Sequence, residues 1–102
     1  VDLIKHLHKQ IDFSRNTFGE GYRCLAILNH IEKEIEEVKK NPHDLEEWID
    51  IILLAFDGAW RSGNTPEEIS VALKEKLEKN INRKWPDHNN FSNGQPIEHI
   101  KT

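Results

Sequence analysis

The stretch 46–61, EEWIDIILLAFDGAWR, is the most apolar run of the chain. It limits the available folds more than any other feature. Read as a helix over 44–61, it is apolar on nearly every side. Such a helix has to be buried by several neighbours or packed against another subunit. Yet Asp50 and Asp57 sit inside it, and Glu47 stands at its start. On a wheel of about 100° per residue, Glu47, Asp50, Leu54, Asp57 and Arg61 fall in one narrow sector. Acids among Ile, Leu, Phe and Trp are rarely fully buried unless paired. Arg61, one turn on, is the local partner open to Asp57. Asp50 has no equivalent.

Three further segments carry helical spacing. In residues 2–13, Leu3, Leu7 and Ile11 make a short amphipathic helix. His6 and His8 are two apart and point to different sides, which argues against a shared metal. The glycines and polar residues of SRNTFGEG, 14–21, predict a loop. A second helix runs from about Tyr22 to Lys40, with Ile27, Ile31, Ile35 and Val38 on one face, and Asn41-Pro42 ends it. Thr65 as N-cap, Pro66 in the first turn and Glu68 closing a capping box start a fourth helix, reaching about Lys84. The turn residues of WPDHNNFSNGQP then predict an irregular tail. Neither a repeat nor strand-like alternation is present. The expected class is all-α, a small bundle of about four helices, with a helical domain over 1–87 and a C-terminal tail over 88–102.

Size and charge bound the function. A chain of 102 residues suffices for one domain. At this length only about 60–65% of the unfolded surface is buried, so self-association would help. The net charge of −4 leaves no basic excess for nucleic acid. The single Cys24 cannot form an internal disulfide and reads as a small buried hydrophobe, which suits a reducing cytoplasm. No apolar run approaches about 18 residues and no signal-peptide pattern opens the chain, so a soluble, cytoplasmic protein without membrane contact is expected.

The second helix repeats the acidic pattern. Arg23, His30, Glu34 and Glu37 line one side, and Glu34 lies close to the Ile27, Ile31 and Val38 face. Part of EKEIEEVKK is a solvated charge run, with Glu32, Glu36 and Glu46 at the surface. The remaining acids form stripes along the buried sides of two helices. Buried carboxylates cost several kcal/mol each, and grouped ones repel as well. A divalent cation removes both penalties, and hard oxygen ligands suit magnesium or manganese. On the fourth helix Lys76, Asn80 and Arg83 lie on or beside the Ile69, Leu73 and Leu77 face. Lys and Arg there can snorkel to water. In a bundle, all three would instead meet the acidic stripes across the core. Acids with metal on two helices and cations on a third is a layout for a polyphosphate.

The pairs Glu34-x-x-Glu37 and Glu47-x-x-Asp50 occur with FGEGYR (18–23), HIEKE (30–34), DLEEWIDIILLAFDGAWR (44–61), PEEI (66–69) and KNINRKWPD (79–87). This ordered set resembles the MazG-like all-α nucleoside triphosphate pyrophosphohydrolases, and within them the partly phage-encoded dATP/dGTP pyrophosphohydrolase (MazZ-like) branch. The resemblance implies a helical homodimer or homotetramer. It also implies magnesium-dependent cleavage, with manganese as a substitute, of dGTP or dATP to the monophosphate and pyrophosphate. Glu34, Glu37, Glu47 and Asp50 match the family's metal ligands, and Glu37 is the candidate proton acceptor. Lys76, Asn80 and Arg83 fall where relatives place phosphate-binding groups. For the base, His30, Asn29, Trp60 and the FGEGYR loop (18–23) are the candidates. Trp60 also fits plain core packing, and His30, one turn before Glu34, also fits orienting a ligand. Only nine residues separate Glu37 from Glu47, a shorter link than is common in the wider family. A pyrimidine substrate (dUTP or dCTP), or a non-catalytic helical partner protein, remain the alternatives.

Overall fold

The structure, a computed structural model, describes residues 2–101. Four helices account for most of it: α1 (Leu3–Phe18), α2 (Cys24–Lys40), α3 (Leu45–Arg61) and α4 (Pro66–Asn82). A short 3-10 turn follows at His88–Asn90. No strand occurs among the described residues, and the protein is a small all-α bundle. The chain divides into two compact units, Val1–Ser70 and Val71–Thr102.

Local chemistry fixes the helix starts. The Asp2 carboxylate accepts from the Lys5 N–H at 3.2 Å, and the Asp44 carboxylate accepts from the Glu46 N–H at 3.0 Å. Asp44 is thus the cap of α3 and lies just outside the helix. The expected capping box is present. Thr65 Oγ1 accepts from the Glu68 N–H at 3.1 Å, and Glu68 Oε1 accepts from the Thr65 N–H at 3.0 Å. Two otherwise orphaned donors are satisfied reciprocally.

The first helix is longer than its sequence predicts. Ser14–Phe18, expected in a loop, continue α1. Leu7, Ile11 and Ser14 share one face, and all three are buried. The helix stops at Gly19, whose φ of 89° suits glycine and whose N–H donates to the Arg15 carbonyl at 2.9 Å. A buried serine hydroxyl with partners on α3 keeps the extra turn helical.

In the first unit α3 packs along α2 and against α1. Leu7, Ile11, Trp60 and Ile69 form the buried core, flanked by Leu3, Phe56 and Ala59. Gly58 lets α2 and α3 approach closely: a Cβ there would lie 3.8 Å from the Ile27 methyl. Cys24, half-buried, points its thiol at the Gly58 carbonyl at 3.7 Å. Of the two alternatives for α3, burial on most sides or packing against another subunit, the first is not met within this chain. Leu45 is 70% exposed and Trp48 50%, with Ile49 and Ile52 also open. The expected apolar face of α4 is likewise buried only at Ile69, while Leu73 and Leu77 are more than half exposed.

Candidate functional site

Three carboxylates from two helices converge. Glu34 of α2 and Glu47 and Asp50 of α3 each place an oxygen within 4.8 Å of the others. The pairing of α2 with α3 causes this, because it faces the two acidic stripes toward each other. Glu34 and Glu47 are half-buried and Asp50 is exposed; the Glu34 side chain is 16% exposed. His30, one turn earlier on α2, places Nε2 3.3 Å from a Glu34 oxygen. That contact orients the carboxylate, as an imidazole beside a metal ligand commonly does.

The site is electrostatically strained. Partial withdrawal from water, then the charges of Asp44, Glu34, Asp50 and Glu37, push Glu47 above its ordinary value. Like charges disfavour ionisation, and a cation would reverse that effect. The donor set is all oxygen, the set that hard divalent cations take. Glu37 is close enough to raise Glu47 but lies outside the group of three.

A cavity of about 230 Å3 adjoins this cluster, and Glu34, Asp50 and His30 form part of its wall. The rest of the lining is mostly apolar: Phe13 and Phe18 from α1, and Leu53 and Leu54 from α3. The two phenylalanines meet edge to face, with ring centroids 6.2 Å apart. Gln10 closes another side. Its amide donates to the Leu53 carbonyl at 2.7 Å and to Asp57 at 2.9 Å. Its carbonyl oxygen lies 2.8 Å from His6 Nε2.

Asp57 anchors the helices. At 8% exposure it accepts from Gln10 at 2.9 Å, Ser14 Oγ at 3.2 Å and the Trp60 indole at 3.0 Å. The direct Asp57–Arg61 ion pair is absent among the described residues. Instead Arg61 donates to Ser14 Oγ at 2.9 Å, to the Ser14 carbonyl at 3.2 Å and to the Gly21 carbonyl at 3.0 Å. Ser14 thus relays between the two. No buried side-chain donor or acceptor among the described residues is left without a partner.

The remaining expected residues are placed as follows. Trp60 fills the core, with the Arg61 guanidinium 4.4 Å from its ring centroid, and it is not part of the cavity beside the acids. Asn29 is exposed on α2 and likewise absent from that wall. Lys76, Asn80 and Arg83 belong to the second unit. There Arg83 Nη1 donates to Asn80 Oδ1 at 3.1 Å, and the Asn80 carbonyl accepts from the Trp85 indole at 2.7 Å. Phe18, the first residue of the FGEGYR stretch offered for the base, does line the cavity beside the acids, from the last turn of α1. Gln10, Phe13 and Ser14 are not among the expected site residues, and Ser14 falls beyond the helix end expected at 13.

No helix among the described residues is long and apolar enough to cross a membrane. No solved structure matches the chain. The chain is similar to the Eaa protein of Salmonella phage P22, at 41% identity over 61 residues, or 60% of this chain. It spans only 18% of that relative's length. The family model described as dATP/dGTP pyrophosphohydrolase matches residues 5–102. That match covers nearly the whole chain and includes all three clustered acids, so the chain belongs to the dATP/dGTP pyrophosphohydrolase family.

Proposed function

We propose that the protein is a divalent-metal-dependent pyrophosphohydrolase that converts dGTP or dATP to the monophosphate and pyrophosphate. One observation carries the reading. Glu34 and Asp50 belong both to the carboxylate cluster and to the wall of the apolar cavity. A cation site and a base-sized pocket are therefore contiguous. At about 230 Å3 the cavity falls below the roughly 300 Å3 floor of drug-sized pockets. It suits a nucleobase, with the phosphates left outside near the acids.

Glu34, Glu47 and Asp50 would hold Mg2+ or Mn2+. Bound there, the cation supplies charge neutralisation of the triphosphate and a lowered pKa for an attacking water. Glu37, outside the group of three, is the proton acceptor in this reading. His30 fixes the Glu34 carboxylate. Phe13 and Phe18 offer aromatic faces and edges to a purine. Lys76, Asn80 and Arg83 of the second unit are assigned to phosphate binding from the family resemblance alone, Arg83 being able to grip two oxygens at once.

A homodimer or homotetramer in the cytoplasm is part of the same proposal. The open apolar surface at Leu45, Trp48, Ile49 and Ile52 supports self-association. The test is a panel of the four deoxynucleoside and four ribonucleoside triphosphates, with magnesium and with chelator, the products separated by chromatography. Preferential loss of dGTP or dATP, abolished by chelator, is expected. Preference for dUTP or dCTP would move the substrate to pyrimidines. No turnover of any nucleotide would favour a non-catalytic helical partner.

A further inference from the structure

The C-terminal tail, irregular by sequence, is pinned to the end of α4. The Ile100 N–H donates to the Lys84 carbonyl at 2.8 Å. The His99 ring stands edge-on to Trp85, with centroids 6.0 Å apart and planes at 74°. Trp85 is itself fixed to the last turn of α4 by its indole bond to the Asn80 carbonyl. Arg83 is oriented by its bond to Asn80 Oδ1. The result is a hollow of about 520 Å3. Asn82, Arg83 and Lys84 line it from the helix end, and His99, Ile100 and Lys101 line it from the tail.

This fold-back gathers like charge. Arg83, Lys84 and Lys101 meet at one hollow, and Lys76 acts on the same imidazole. Among the described residues, no carboxylate lies within ion-pair distance of these four cations. Among the described residues, Glu98 is the one acid that acts on the His99 ring. Two separate contacts hold a cationic tail against a cationic helix end. Without an anion that arrangement is repulsive. The chain's net charge of −4 argues against an extended nucleic acid as occupant, and the hollow is local. A compact polyanion matches it: a guanidinium fork, ammonium point charges and an imidazole on one wall.

We infer that this hollow binds a diphosphate group, with His99 and Lys101 of the tail completing a site begun by Arg83 and Lys84. The inference rests on the pyrophosphohydrolase reading only for the identity of the anion. Its source is either the phosphates of a nucleotide or free pyrophosphate. Withdrawal from water, then Arg83, Lys101 and Lys76, hold the His99 imidazolium below its ordinary value, while Glu98 opposes them. A seated diphosphate would reverse the field and favour the charged ring.

The test is an NMR pH titration of the six histidine rings in the full chain, without metal. His99 is assigned from its loss in His99→Gln. Millimolar pyrophosphate should raise the His99 pKa by about half a unit or more, leaving the other five rings nearly unmoved. Lys101→Ala should weaken that response by about fivefold or more while the Trp85–His99 contact persists. A non-hydrolysable dGTP analogue that reproduces the shift names the substrate as source; a shift with pyrophosphate alone names the product. An unchanged His99, a uniform drift of all six rings, or an equal response to orthophosphate would overturn the site. Nucleotide hydrolysis with a silent His99 refutes this site alone. A responsive His99 without hydrolysis refutes the enzymatic reading alone.

Discussion

Asp57 separates a structural from a metal-binding role most sharply. It is buried and accepts three side-chain hydrogen bonds, from Gln10, Ser14 and Trp60. Asp57→Ala strands three donors in the interior. Each stranded donor costs about 1–3 kcal/mol, and some relaxation is expected, so the total is about 3–5 kcal/mol. That is a large part of the roughly 5–15 kcal/mol that keeps a domain folded. Asp57→Asn is milder. Its remaining oxygen can keep the Gln10 and Trp60 bonds, but an NH2 group then faces Ser14, whose hydroxyl is already held by Arg61. The expected loss is about 1.5–3 kcal/mol. At about 4–8 °C per kcal/mol for a domain of this size, Tm falls by roughly 6–24 °C. Thermal and urea unfolding followed by circular dichroism, in chelator and in millimolar magnesium, checks this. The same loss should appear in both conditions. An Asn variant as stable as wild type in chelator, but without a magnesium response, would refute the anchoring role and make Asp57 a metal ligand.

Glu34→Gln, Glu47→Gln and Asp50→Asn should each lower turnover by at least about a hundredfold, since a cation's charge stabilisation amounts to several kcal/mol. Asp50→Asn should also shrink the magnesium-induced rise in Tm without lowering the metal-free Tm, because Asp50 is exposed and its neighbours are acids. Glu47 binds its proton more tightly in the folded than in the unfolded state, so its contribution runs opposite to that of a salt-bridged acid. Metal-free stability should fall as pH rises from its ordinary value of 4.5 through the raised one, and Glu47→Gln should flatten that slope in pH-dependent melting curves. Gly58→Ala places a Cβ in ordinary contact with Ile27, so it should stabilise by about 0.5–1 kcal/mol, read as a Tm higher by roughly 2–8 °C.

The acid cluster was legible because helical spacing determines which side chains share a face. Glu34, Glu47 and Asp50 needed only the correct pairing of α2 with α3 to meet. The capping box at Thr65 and Glu68 was legible for the same local reason. Ser14 was not, because serine, asparagine and glycine in SRNTFGEG read as a turn, whereas tertiary contacts to Asp57 and Arg61 keep it helical. The Asp57–Arg61 spacing suggests a direct pair; α1, whose packing on α3 no spacing argument reveals, puts the Ser14 hydroxyl between them. The tail's turn residues include one short 3-10 turn, and its attachment at Lys84 depends on a backbone bond that no side-chain pattern announces. Exposed apolar residues on α3 follow from composition only in part, since a single chain of this size lacks the surface to cover them.

The central claim is that Glu34, Glu47 and Asp50 support cleavage of a triphosphate to monophosphate and pyrophosphate. Phosphorus-31 NMR of dGTP incubated with the protein and magnesium tests it most directly, with Glu47→Gln as control. The account predicts that the three triphosphate resonances give way to those of dGMP and pyrophosphate, only with magnesium and not with the variant. Release of orthophosphate with dGDP, or turnover unaffected by chelator or by Glu47→Gln, would contradict it.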